Sequence, residues 1–371
     1  MAGHLRNRGN DSWQLVVHLG FDETGRRTTA RRTFHGGKRE AERALAMFVS
    51  DATRGTVVAP TRTTLAEVVN DWLAAKSARI SPSTVDRYRI AIKHLDASVG
   101  RMPVGRVRTR DIEELYARLH HGGMSGASIR KLHWALRQSL AWAKRQDLVA
   151  TLATEGVELP PLGAKRIVPP TSESVGQLLR SARVEDPEFG ALFGFMAWTG
   201  CRRGEAAALR WNHLDLERGQ VLIERSLSVV PYGLLEKSTK TGHARRLALG
   251  PSTVQLLLDH RLHREEVAAA CGTAVAPDSH VFSPTADMRT PWHPQTISHR
   301  FLTACKRAGV TPMRLHDLRH HSATALLKSG VSVGEVMDRH GWKTMDMVSR
   351  YRHLMEATDV AAAEALERLS S

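Results

Sequence analysis

His316-Asp-Leu-Arg319-His-His321 is the stretch from which the rest of the chain can be read, taken together with Gly341-Trp342 and, nine residues beyond the tryptophan, Tyr351-Arg352-His353-Leu354. The spacing of His316 and Arg319 puts both side chains on one face of a helix. Upstream, Thr199-Gly-Cys-Arg202-Arg203-Gly-Glu205 sets two arginines between glycines at an expected helix start, with Glu205 placed to hold the loop through backbone or guanidinium hydrogen bonds. Between these lies Lys240-Thr-Gly242, followed by Arg245-Arg246. It reads as a turn between strands that thrusts a lysine from a hairpin tip. Each piece alone has an ordinary explanation. Arg202 and Arg203 could be surface cations, Tyr351 and Trp342 core aromatics, and His316, His320 and His321 metal ligands, although no carboxylate or cysteine stands at ligand spacing.

Together the pieces supply two arginines, a lysine, a histidine, an indole donor and a phenol, an inventory suited to phosphoryl transfer without a metal or other cofactor. A phosphodiester attacked by a phenolate spreads charge over its non-bridging oxygens, and fixed guanidinium groups stabilise that charge. Ionising a tyrosine of pKa near 10 at neutral pH costs roughly 4 kcal/mol, which a cationic pocket reduces. The leaving 5′ oxygen needs a proton, for which Lys240 is the candidate acid, with Lys237 as the alternative and His316 assisting.

Working outward, the chain predicts a mainly α protein with small β elements in three parts. Residues 1–55 predict a small three-stranded sheet plus a helix. Trp13, Leu15, Val17 and Leu19 alternate as in a half-buried strand, Asp22 to Gly25 offers a turn, and Arg26 to Phe34 reads as a further strand. Gly36-Gly37 then introduces a helix with Ala41, Ala44, Leu45, Phe48 and Val49 on one face. Arg27, Arg31 and Arg32 on the outer strand faces are candidate DNA contacts, the alternative being a solvated face. Residues 63–152 predict a basic four-helix domain opening with Leu65, Val68, Val69, Trp72 and Leu73 on one face. Ser81-Pro82 starts its second helix, and Arg130 and Lys131 lie on its last. The Pro-rich segment Glu158 to Pro170 reads as a linker. Residues 171–371 form a third, mixed α/β, mainly helical domain with a strand pair around Val221 to Arg225 and Ala244 to Leu249.

Composition agrees with a polyanionic partner. Among 371 residues, Lys plus Arg number 53 against 38 for Asp plus Glu, a formal charge of +15. Cys201, Cys271 and Cys305 show no CxxC spacing, so neither a disulfide framework nor a zinc cluster is suggested. No stretch reaches the roughly 20 apolar residues of a bilayer span, and the N-terminus is polar rather than a signal peptide, which predicts a cytoplasmic, nucleoid-associated protein without membrane contact.

In sum these residues resemble the tyrosine recombinase, or phage integrase, family. Its catalytic arginine, lysine, histidine, arginine, histidine or tryptophan, and tyrosine match, in order, Arg202, Lys240, His316, Arg319, Trp342 and Tyr351. Residues 1–55 resemble the family's arm-site-binding domain, 63–152 its core-binding domain and 171–371 its catalytic domain. One departure is that many members carry a Leu-Gly-His turn where this chain has His340-Gly341-Trp342. The histidine stands two residues early, in a supporting place like Glu205, and on a continuous helix residues two apart point about 200° away from each other. The resemblance implies site-specific DNA recombination through a 3′-phosphotyrosine on Tyr351, with Arg203 as a further DNA contact. It implies double-stranded attachment sites, a homotetramer on DNA and the integration and excision of a phage or other mobile element, with room for a DNA-bending accessory or directionality factor. The tail from Met355 to Leu369, apolar on one face, resembles the family's segment that docks on a neighbouring protomer. A type IB topoisomerase would share the chemistry, but the arm-like N-terminal part argues against it. A non-catalytic DNA-binding regulator would share the charge without needing all six residues.

Overall fold

The structure, a computed structural model, describes residues 2–21, 25–163, 168–238, 244–349, 351 and 367–368. Of the described residues 52% are helical, with small sheets, as the mainly α reading expects. It divides into two compact units, Met1–Ala164 and Lys165–Ser371. Of the expected features, Lys240, the Met355 to Leu369 tail apart from Glu367 and Arg368, Asp22 to Thr24 and the linker residues 164–167 lie outside the described residues.

The first unit opens with an antiparallel sheet of β1 (Gly3–Gly9), β2 (Ser12–Phe21) and β3 (Arg27–His35), in that spatial order, followed by α1 (Lys38–Thr53). Leu15, Val17 and Ala30 pack on Phe48 and Ala52 of α1. Gly37 caps the helix while its N–H donates to Glu40 Oε2 at 2.9 Å. The register pairs Leu15 with Arg32 and Val16 with Arg31. The two arginines therefore project from opposite faces. Arg32 lies 5.0 Å over the Phe48 ring, on the helix side. Arg31 is exposed on the other face, and Arg27 lies 6.0 Å over Phe21.

The helices α2 (Leu65–Ser77), α3 (Pro82–Ile92), α4 (Ala97–Gly100), α5 (Thr109–His121) and α6 (Gly126–Arg145) follow. Thr64 and Glu67 form a capping box at the head of α2, the Thr64 N–H donating to Glu67 Oε2 at 2.7 Å. Leu65, Val68, Ile112, Leu115, Ile129, Leu132 and Leu136 share the core of this part. Arg130 is tied to the Pro160 carbonyl at 3.3 Å, whereas Lys131 is exposed.

In the second unit, α7 (Ser172–Glu185) precedes α8 (Pro187–Thr199), which buries Phe189, Leu192, Phe193, Phe195 and Met196. A helix apolar all round must be central. Truncating Phe193 to alanine would cost about 3–5 kcal/mol. After α9 (Arg203–Ala207) come β4 (Leu214–Asp215), β5 (Gln220–Ile223), β6 (Arg225–Val230), β7 (Gly233–Ser238) and β8 (Arg245–Ala248). Strand β8 pairs with β5, as the sequence suggests, whereas β7 pairs with β6. This bears on one expectation: the strands on either side of residues 239–243, β7 and β8, belong to different sheets and do not pair with each other as a hairpin. The unit is completed by α10 (Pro251–Ala270), α11 (Pro294–Arg307), α12 (Asp317–Lys328), α13 (Val333–His340) and α14 (Met345–Ser349). Among the described residues no helix is long and apolar enough to cross a membrane.

Candidate active site

Helix α8 ends because Gly200 adopts φ 65°, a conformation that glycine tolerates without penalty. The turn delivers Arg202 to the cap of α9, where its backbone N–H donates to Glu205 Oε2 and its guanidinium to Glu205 Oε1, each at 2.8 Å. From β8, Arg245 reaches the same carboxylate with two further bonds of 2.6 and 3.2 Å. Glu205 is thus a buried anion shared by two arginines, with 2% of its surface exposed. Burial alone would raise its pKa, but the hydrogen bonds and charge of Arg245 and the Arg202 contacts outweigh it and hold the carboxyl down at about 2.

A second set of anchors lies at the end of α13. Ser332 and Glu335 cap its start, and Gly341 closes it in the left-handed region at φ 60°. The last carbonyls of a helix have no partner within it and carry partial negative charge. Three successive ones each accept from a different arginine. Arg245 Nε donates to the Arg339 carbonyl at 3.1 Å, Arg319 donates to that of His340, and Arg202 donates to that of Gly341 at 3.3 Å. Arg319 also donates to the Gly200 carbonyl, so one guanidinium ties the ends of α8 and α13 together. Burial and the charge of Arg202 lower Arg319 to about 9, which leaves it cationic at neutral pH.

On this cluster sit the remaining groups. The Trp342 ring lies 5.6 Å from the Arg319 guanidinium and stacks on Tyr351 with 5.5 Å between centroids. Its buried Nε1 has no hydrogen-bond partner among the described residues. Tyr351 is 1% exposed, and its hydroxyl is hydrogen-bonded to Nδ1 of His320. His316, at the head of α12, meets His320 edge to face at 4.9 Å. Loss of water around its ring, with His320 and the guanidinium groups of Arg319 and Arg202, lowers its pKa even though the residue keeps an exposed edge.

The structure therefore brings together Arg202, Glu205, His316, Arg319, Trp342 and Tyr351. Arg203 points elsewhere, donating to Ser298 at 2.7 Å on α11, and Lys237 lies on β7. His340 requires a correction. Gly341 ends the helix before Trp342, so the separation expected on a continuous helix does not apply, and the two rings lie 5.0 Å apart. His340 is fully buried, its Nδ1 bonded to the Val336 carbonyl at 3.0 Å. An added methyl at Gly200 would come 2.5 Å from its Nε2, so the ring is a wedge under the Arg202 turn. The sequence reading passed over two members of the site. Arg245 had a legible signal, since it alternates with buried Leu247 on β8 and an inward arginine needs an anion. His320 had none beyond its place beside Arg319.

Cationic groups held rigidly around a phenol, with a neutral imidazole nearby, are equipment for moving a phosphoryl group. Residues 171–358 match the phage integrase family, and residues 64–120 match the phage integrase N-terminal SAM-like domain. Among relatives, a XerC-like tyrosine recombinase of Caldanaerobacter subterraneus is 24% identical over 99% of this chain and 98% of its own length. The ICEBs1 integrase of Bacillus subtilis is 22% identical over 97% and 98%. Among solved structures, the Tn1549 transposon integrase in complex with transposon right-end DNA superposes with a TM-score of 0.68 at 15% identity, over 83% of this chain and all of that one. A lambda integrase tetramer bound to a Holliday junction gives 0.62 at 17%, covering 94% of each. The chain belongs to the phage integrase family, DNA-breaking and rejoining enzymes that act as site-specific recombinases.

Proposed function

We propose that this recombinase cuts and rejoins DNA through a 3′-phosphotyrosine on Tyr351 and serves the integration and excision of a mobile element. The observation that carries the assignment is the set of arginines anchored on three successive carbonyls beside Tyr351. Anchoring uses some N–H groups of each guanidinium and fixes the direction of the others. Arg202 and Arg319 then hold the non-bridging oxygens, joined by the Trp342 indole N–H, which is buried and without a partner among the described residues and so favours an anionic acceptor. Lys240 is the proton donor to the 5′ oxygen. The covalent bond retains the energy of the phosphodiester, so the cycle runs without ATP.

Residues 1–55 act as the arm-site module, through Arg27, Arg31 and Arg32, and residues 63–152 as the core-site clamp, through Arg130 and Lys131, with Arg203 adding a contact from the catalytic part, 171–371. Four copies assemble on paired attachment sites in the cytoplasmic nucleoid, with an accessory or directionality protein biasing the outcome. The test is a suicide duplex spanning the junction of the element with its host DNA and nicked beside the cleavage position. The wild type is expected to accumulate protein on the 3′ end, and Tyr351→Phe to bind equally well without forming that adduct. Complete absence of the wild-type adduct would favour a DNA-binding regulator.

A further inference from the structure

We infer that His320, rather than His316, takes the proton from the Tyr351 phenol. The inference rests on Tyr351 being the nucleophile, as proposed above. The two histidines lie one helical turn apart, edge to face, but in different surroundings. His316 keeps an exposed edge at the mouth of the site, where a phosphate or leaving oxygen would arrive. His320 lies beneath it, 9% exposed, with Nδ1 on the phenol oxygen itself. A base has to be within hydrogen-bond reach of the proton it removes, and His320 meets that condition.

His320 also follows Arg319 in the first turn of α12, so one rigid segment carries both a cation for the phosphate and an acceptor for the phenol. Among the described residues, the charged and titratable neighbours that face this pair include His316, Arg319 and, across the Trp342 ring, the cluster of Arg202, Glu205 and Arg245. In the step, the phenolic proton passes to Nδ1 of neutral His320, which becomes imidazolium. The phenol oxygen forms the new bond to phosphorus. The bond from phosphorus to the 5′ oxygen breaks, its electron pair leaves with that oxygen, and the acid, Lys240, protonates it. Religation runs the same transfers backwards, with His320 returning the proton to Tyr351.

The experiment compares single-turnover covalent-complex formation by wild type, His320→Ala, His320→Asn and Lys240→Ala. Each is given the nicked junction duplex in two forms, one with the ordinary phosphodiester and one with sulfur as the bridging 5′ atom, a leaving group that needs no proton. Asparagine places an oxygen near the position of Nδ1, so it can hold the phenol but cannot take its proton. The expected result is that both His320 variants bind DNA within twofold of wild type and react about a hundredfold or more slowly on both substrates. Lys240→Ala is expected to recover on the sulfur substrate alone. The inference is overturned if His320→Asn matches wild type, if sulfur rescues the His320 variants, if they react faster than wild type, or if they lose DNA affinity. If the wild type itself gives no adduct, the nucleophile assignment fails and takes the inference with it.

Discussion

Replacing Glu205 by glutamine removes one negative charge from beneath Arg202 and Arg245 while keeping the shape of the side chain. The carboxyl stands at about 2 in the folded chain against an ordinary 4.5. A difference of about 2.5 units at 1.36 kcal/mol each corresponds to about 3 kcal/mol by which folding favours the ionised form. A folded-state pKa below the unfolded one stabilises above the unfolded value and is lost as pH falls toward the folded one. The stabilisation is therefore full at pH 7 and declines from about pH 4.5 to about pH 2. We expect Glu205→Gln to be about 3 kcal/mol less stable at pH 7 in urea unfolding of the full chain followed by tryptophan fluorescence. The gap should narrow progressively below pH 4.5. Cleavage should fall as well, because Arg202 and Arg245 would repel each other and Arg319 without the anion. A stability difference below about 1 kcal/mol at pH 7, or one unchanged between pH 7 and pH 3, would refute the account of Glu205 as the electrostatic keystone of the site.

Trp342→Ala is expected to slow single-turnover cleavage about tenfold to a hundredfold, the value of an N–H bond to a charged oxygen, while Trp342→His keeps much of the rate; equal rates for all three proteins would remove the indole from the mechanism. His340→Ala should leave the chemistry of the folded protein nearly intact but cost about 2–5 kcal/mol of stability through the cavity left under Gly200, and an unchanged urea midpoint would show that the ring supports nothing. Deleting residues 1–55 should spare cleavage of a short core duplex yet impair integration between full attachment sites; normal integration by the truncated protein would contradict the arm-site assignment.

Much of the architecture is written in local signals. The capping residues Thr64, Ser125, Thr171 and Ser332 mark four helix starts, and the alternation from Trp13 to Leu19 marks β2. Strand β1 leaves little trace because Gly3–Gly9 has Leu5 as its one large apolar residue and depends on pairing with β2. The β6–β7 ribbon is hidden for a different reason. Strand β7 folds back on β6 across the two-residue turn Pro231-Tyr232, which carries none of the usual Asn-Gly or Asp-Gly signals, so the sequence does not announce that β7 pairs backward with β6 rather than forward with β8. At the site, residue types and order were enough to assemble Arg202, His316, Arg319, Trp342 and Tyr351. The part played by backbone was only partly legible. Gly341 after the basic pair Arg339-His340 is a local stop signal that the continuous-helix reading overrides, whereas nothing local says that Arg245 and Arg319 aim at main-chain oxygens.

That use of main-chain oxygens bears on how far such a sequence can drift. A carbonyl is the one acceptor that every amino acid carries, so the acceptors at 339, 340 and 341 survive replacement of the side chains above them, provided that α13 still ends where it does. The constraint moves from residue identity to a stopping point, held by a glycine at φ 60°.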